Sequence, residues 1–202
     1  MSDSFVQQSK DQQHVLERLV KGLPGIRGYT DKETRRDADY RVRQLIADEL
    51  NRTRDGLYEV QRQLLRQPGG LSLLADLDVA VNKVQNLADR VRTASYGYAG
   101  FFDTVSVGKE ELNALYSFDV AMLHDVANME SNVTALRASL DDPSKVSARI
   151  EQTIAAANDL TRLFDRRARA IESPALLAEA DYAPTTASPA EPPPAAPADE
   201  TA

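Results

Sequence analysis

The chain has 202 residues, 42% of them apolar and 27% charged, with a formal net charge of -7 and neither cysteine nor tryptophan. That length suits one domain plus a tail, and the apolar share supports a core, so a chain disordered throughout is excluded. Disulfides and thiolate metal sites are excluded by the missing cysteine, and with no leader-like opening and no apolar run near the ~20 residues of a membrane span, a soluble, cytoplasmic protein is expected.

No segment alternates with period two in the Val-, Ile- and Thr-rich manner of a strand, so the body is expected to be helical throughout. A first helix is predicted over Ser4 to Lys21, with Val15, Leu16, Leu19 and Val20 as a modest apolar face. It carries Asp11-x-x-His14-x-x-Glu17, a ligand-like spacing on a peripheral helix, which is better explained by solvated side chains than by a metal. Gly22, Gly25 and Gly28 break the chain next. They lack the dinucleotide spacing and no strand precedes them. Thr30 and Glu33 then form a capping box that marks the next helix start.

The second predicted helix runs from about Asp31 to Gln67, roughly 54 Å at ~1.5 Å per residue. Ile46, Leu50, Thr53, Leu57, Val60 and Leu64 form its seam, spaced alternately by four and three. Acid-then-base pairs at i,i+4 (Asp31/Arg35, Asp37/Arg41, Asp39/Arg43 and Asp48/Arg52) are expected to line its outer face. Pro68-Gly69-Gly70 ends it. A third helix follows from about Ser72 to Ser95, with Leu73, Leu77, Ala80, Val84, Leu87, Val91 and Ala94 on its seam.

The glycine-studded segment Tyr96-Gly97-Tyr98-Ala99-Gly100-Phe101-Phe102-Asp103 comes next. Gly108-Lys109 lacks the surroundings of a phosphate loop and is read as a helix break. The fourth helix is predicted from about Lys109 to Leu140, on Leu112, Leu115, Asp119, Met122, Val126, Met129, Val133, Leu136 and Leu140. Asp142-Pro143 combines an N-cap with proline at the first helical position. The fifth helix runs to about Glu172 on Val146, Ile150, Thr153, Ala157, Leu160, Phe164 and Ile171, and Ser173-Pro174 stops it. A short turn is expected over Ala175 to Ala180. From Ala183 onward proline and alanine dominate and no apolar face recurs, which predicts a disordered acidic tail over 183–202.

Period-3.5 seams joined by short breaks predict an all-α protein: an antiparallel up-down bundle of four long helices over 31–172. A shorter peripheral helix over 1–21 completes a domain of residues 1–182, ahead of the tail.

In such a bundle, the second and fourth predicted helices start, and the third and fifth end, at one shared end, called here the upper end. Both glycine-rich breaks fall there. So do ten of the twelve aromatic residues, among them Tyr40, Tyr116, Phe118, Phe164 and Tyr182, and a set of arginines. Rings clustered there serve either as a plug that closes the bundle or as a surface that binds, because Tyr, Phe and Arg are enriched at interfaces. The expected partner-binding residues are Arg27, Tyr29, Tyr96, Tyr98, Phe101, Phe102 and Asp103.

Asp119 alone breaks a seam. A buried carboxylate requires a partner or a proton. Asn86, Arg90, Arg43 and Arg162 are the neighbours expected from counting turns, and a register-fixing polar contact is the expected role, unless the stripe drifts and leaves Asp119 in water. Two histidines, His14 and His124, supply neither a di-iron carboxylate set nor a Ser/His/Asp set. No catalytic residue, metal or cofactor is therefore expected. The acids after Ser173 account for most of the net charge, and the near-neutral body gives no reason to expect nucleic acid. The expected function is a non-enzymatic scaffold or adaptor that docks a protein partner at the upper end. A peripheral membrane or stress-associated coiled-coil protein that lays its first helix, with Phe5 and Val6, on lipid is the alternative, and self-association is compatible with either.

Overall fold

The structure, a computed structural model, describes residues 32–94, 109–179 and 181–184. Four long helices make up most of it: α1 (Lys32–Leu64), α2 (Leu74–Thr93), α3 (Lys109–Arg137) and α4 (Pro143–Glu172). They correspond to the second to fifth predicted helices, and the described residues are helical without strands. The first predicted helix, the whole aromatic segment and residues 185–202 of the predicted tail lie outside the described residues.

The predicted seams are the core. Ile46, Leu50, Leu57, Val60 and Leu64 of α1 are buried, as are Leu77, Ala80, Val84, Leu87 and Val91 of α2. Leu115, Met122, Val126, Met129, Val133 and Leu136 of α3 meet Val146, Ile150, Ala157, Leu160, Phe164 and Ile171 of α4. Each helix buries one stripe because its apolar residues recur every three and four positions, which keeps them on one face.

Cross-helix contacts give the direction of each neighbour. Between α1 and α2, Gln61 bonds Asp78, 17 residues away, and Arg92 bonds Asp48, 44 away. A separation that grows toward the upper end means antiparallel helices. The same holds for α3 and α4, where Asn132 bonds Thr153 across 21 residues and Arg167 bonds Asp119 across 48. The α2–α4 pair behaves differently. Lys83 with Asn158 and Arg90 with Asp165 keep one offset of 75 residues, so these neighbours run parallel. Parallel α1 and α3 likewise bring Arg137 to Glu59, 78 residues apart. A Cβ on Gly56 would sit 3.0 Å from Val133 Cγ1, so the glycine permits the close approach of α1 and α3 there.

The helices thus alternate up and down along the chain, as expected. Around the bundle, however, the order is α1, α2, α4, α3, with each helix packed on its two neighbours in that circuit. Two antiparallel hairpins lie side by side, and α1 faces α4 across the diagonal. The end of α2 and the start of α3 occupy diagonal corners of the upper end.

The lower end is closed by two tight turns. After α1, backbone bonds at Arg66, Gln67 and Gly70 carry the chain into a short 3-10 turn, Gly70–Leu73. Gly70 packs so tightly that a Cβ there would sit 2.0 Å from the Leu64 carbonyl oxygen. Asp142 caps α4 as predicted: its carboxylate accepts from the Ser144 and Lys145 amides at 3.2 and 3.3 Å, with Pro143 at the first helical position. These bonds hold the Asp142 pKa at about 2, the Ser144 hydroxyl contributing first and Lys145 next. Beyond α4, Ser173-Pro174 opens a 3-10 turn over Pro174–Ala178, which supplies the expected short turn and packs on α3 and α4.

A buried ion network at the upper end of the bundle

Of the residues expected to bind a partner, Arg27, Tyr29, Tyr96, Tyr98, Phe101, Phe102 and Asp103 lie outside the described residues. Asp119 lies within them and has no solvent exposure. A residue outside the four expected neighbours pairs with it. Arg167 of α4 donates from Nε to Asp119 Oδ1 at 2.5 Å. Among the four, Asn86 is exposed, while Arg90 pairs with Asp165 and Arg162 with Asp159 at the surface. Arg43 belongs to the same buried group by another route.

Among the described residues, that group has four charged side chains. Arg167 uses its NH1 to donate to Asp39 Oδ1 at 2.7 Å, reaching across the bundle diagonal from α4 to α1. The other oxygen of Asp39 accepts from Arg43 Nε at 2.9 Å. Arg43 NH1 then donates to the Ala94 carbonyl at 2.6 Å. The chain of contacts runs Ala94–Arg43–Asp39–Arg167–Asp119 and ties all four helices or their ends together. Asp39 is 2% exposed, Arg43 7%, Asp119 0% and Arg167 1%.

Among the described residues the network sets two carboxylates against two guanidiniums, and pairing of this kind is the condition under which buried charges persist. Arginine suits the role because its planar fork serves two acceptors at once and stays protonated. The Ala94 carbonyl needs a donor because it lies just past the last turn of α2, where main-chain acceptors have no partner within the helix. A cation at a helix C-terminus also complements the helix dipole.

Two expectations about charge are corrected. Asp39 and Arg43 do not line the outer face of α1 but lie inside. The physical reason is register: counting back from Ile46 by three and then four lands on Arg43 and Asp39, so both occupy the seam. Arg167 likewise fills the seven-residue gap between Phe164 and Ile171. The gap in the apolar pattern was the sequence signal for it. Asp48 pairs with Arg92 of α2, not with Arg52, and Arg52 pairs with the buried Glu49, both at 2.7 Å. Asp37 and Arg41 do face solvent, and Asp31 of the remaining pair lies outside the described residues.

One residue before each of these inner partners, a second layer lies beside the network. Arg166 precedes Arg167, and Phe118 precedes Asp119. The Arg166 guanidinium lies 5.8 Å from the Phe118 ring and 5.4 Å from the Tyr182 ring. Phe118 and Tyr182 meet edge to face at 6.0 Å. Arg166 donates to the carbonyls of Asp181 and Tyr182, and the Tyr182 hydroxyl donates to the Arg166 carbonyl at 3.0 Å. Residues 181–184 are therefore docked on the bundle. Ala183, expected to begin the tail, packs against the core.

Elsewhere the titratable groups do not converge. Burial, and after it the Asp119 carboxylate, raises the Tyr116 pKa above that of an ordinary phenol, so Tyr116 stays neutral. Asp125 is raised by burial and then by Asp159, with His124 opposing. Among the described residues, no three His, Asp or Glu side chains are placed to hold a metal ion. None of the described helices is long and apolar enough to cross a membrane. No family model, characterised protein or solved structure gives a significant match to this chain.

Proposed function

We propose that this protein is a non-enzymatic helical scaffold that docks a protein partner at the upper end of its bundle. The observation that carries the reading is the convergence of devices at that end. The ion network clamps the beginning of α1, the end of α2, α3 and α4 there, and the Phe118–Arg166–Tyr182 layer holds the C-terminal segment beside it. Among the described residues, the lower end has only tight turns. Arg43 holds the Ala94 carbonyl, two residues before Tyr96 in the sequence, so the chain is fixed at the point from which the aromatic segment starts. A binding segment anchored in this way loses less freedom when a partner binds, which favours affinity. The carboxylates and guanidiniums of the network pair with one another, which fits a structural role better than acid–base chemistry.

A pull-down comparing three forms of the protein tests the reading. Tyr98→Ala/Phe102→Ala at the upper end should lose the partner while keeping the helical circular dichroism of wild type. Leu65→Ala/Leu71→Ala removes two exposed leucines at the lower end and should retain it. Equal recovery of every partner by the folded Tyr98→Ala/Phe102→Ala protein would sink the proposal.

A further inference from the structure

We propose that the C-terminal segment 174–184 is a displaceable strap, occupying in cis a peptide-docking groove on α3 and α4 that takes short apolar–aromatic segments. The groove's recognition chemistry is visible in the way the strap is held. Leu177 is buried and supplies an apolar anchor. Five residues on, Tyr182 sets its ring edge to face on Phe118, beneath the Arg166 guanidinium. Arg166 donates to the carbonyls of residues 181 and 182, atoms every peptide possesses. The groove therefore specifies an apolar side chain, a ring about five residues later and two main-chain acceptors. It asks nothing of the strap's acidic residues, and Glu179 and Asp181 are exposed.

The manner of attachment makes the strap separable from the core. Its backbone bonds are local ones, those of the 3-10 turn Pro174–Ala178 and of the turns closing at Leu176, Glu179 and Tyr182. Each ordered residue costs backbone entropy comparable with what one hydrogen bond contributes, so a segment with so few anchors opens at a lower free energy than the packed helices beneath it. Under the strap, Phe118 has no solvent exposure, and the neighbouring Arg167–Asp119 pair belongs to the inner network, which does not need Tyr182. Opening the strap bares a ring and a cation while leaving the four-helix core tied. A partner segment with the same anchors replaces the strap one for one. This groove shares the Phe118–Arg166–Tyr182 contacts with the end described above but does not depend on the aromatic segment 96–102, so the peptide test below fails independently of the pull-down.

The test uses the full-length protein and a fluorescent peptide of residues 174–184 as the probe. Leu177→Ala/Tyr182→Ala weakens the strap in cis. The peptide should bind this variant at least tenfold more tightly than wild type, whose groove is filled. Changing the peptide's own tyrosine to alanine, or adding Arg166→Met to the protein, should abolish that binding. No peptide binding by a helical Leu177→Ala/Tyr182→Ala protein overturns the proposal. So does loss of its helices, which would make the strap part of the core. Hydrogen exchange on wild type gives an independent arm. The Leu176, Glu179 and Tyr182 amides should exchange at least tenfold faster than core amides of α3 and α4, and exchange at the core rate overturns the proposal as well.

Discussion

The two ends of this bundle are closed by different physics. The lower end relies on backbone geometry: a glycine packed against the Leu64 carbonyl, a 3-10 turn, and a capped proline start to α4 over leucine-rich layers. Interchangeable apolar contacts suffice there because each hairpin is joined by a turn too short to allow another partner. The upper end has no such constraint. The end of α2 and the start of α3 lie on a diagonal, and α1 must find α4 across the centre. Directional contacts do that work: Arg167 accepts no substitute geometry for Asp39 and Asp119 together. Buried ion networks are weak sources of net stability but strong selectors of arrangement when every member is paired. The contrast teaches that polar specificity sits where chain connectivity leaves the packing undetermined.

The largest effect that would break this contrast comes from the centre of the network. Arg167→Met leaves Asp39 and Asp119 buried without their shared cation and should cost about 3–5 kcal/mol in urea unfolding. Replacing the set together, with Asp39→Leu, Arg43→Leu, Asp119→Leu and Arg167→Met, should restore stability or raise it by about 1–4 kcal/mol. A quadruple variant as unstable as the single one would show that the upper end needs its charges to fold at all.

Next in size, Gly70→Ala probes the lower end. Its Cβ would overlap the Leu64 carbonyl, so the turn must shift, at about 3 kcal/mol, the upper end of the usual cost of overpacking. A wild-type unfolding midpoint for this variant would remove the claim that backbone geometry closes that end. Midway along the bundle, Thr153→Val deprives the buried Asn132 amide of an acceptor at 2.6 Å while its bond to the Arg149 carbonyl remains. A loss of about 1–2 kcal/mol is expected, measured by the same unfolding curves.

The smallest effect is a pH dependence at the α4 cap. Asp142 titrates at about 2 in the folded protein, below the ordinary 3.8. A depressed carboxylate contributes stability that is fully present above its unfolded pKa and is lost as pH falls through the folded one. The melting temperatures of wild type and Asp142→Asn should therefore differ by a constant amount above about pH 5 and converge toward about pH 2. A gap that stays constant to pH 2 would remove the carboxylate's charge from the account of the cap.

Much of the fold was legible because helical periodicity is a local property. The four seams, the Pro68–Gly70 break and the Asp142 cap each depend on residues within a few turns of one another. Asp119 was legible as a buried carboxylate for the same reason. Its partners were not. Asp39 and Arg43 form an acid–base pair at i,i+4, a pattern that looks identical on a solvated face and on a seam, and only continuing the heptad back from Ile46 separates the two. Turn counting placed Arg162 opposite Asp119, whereas Arg167 is there, because α3 and α4 do not start and stop flush at the upper end.

By itself, then, the amino-acid sequence determined which residues are helical, which face of each helix is apolar, and where the chain must turn, since these follow from backbone preferences and from spacing along one helix. The tertiary structure alone decided the order of helices around the bundle, the parallel neighbours α1–α3 and α2–α4, and the pairing of Asp39 and Asp119 through one arginine. Those outcomes rest on distances between residues 48 to 128 positions apart in the chain, set by how the packed helices cross and stagger. No local pattern encodes them.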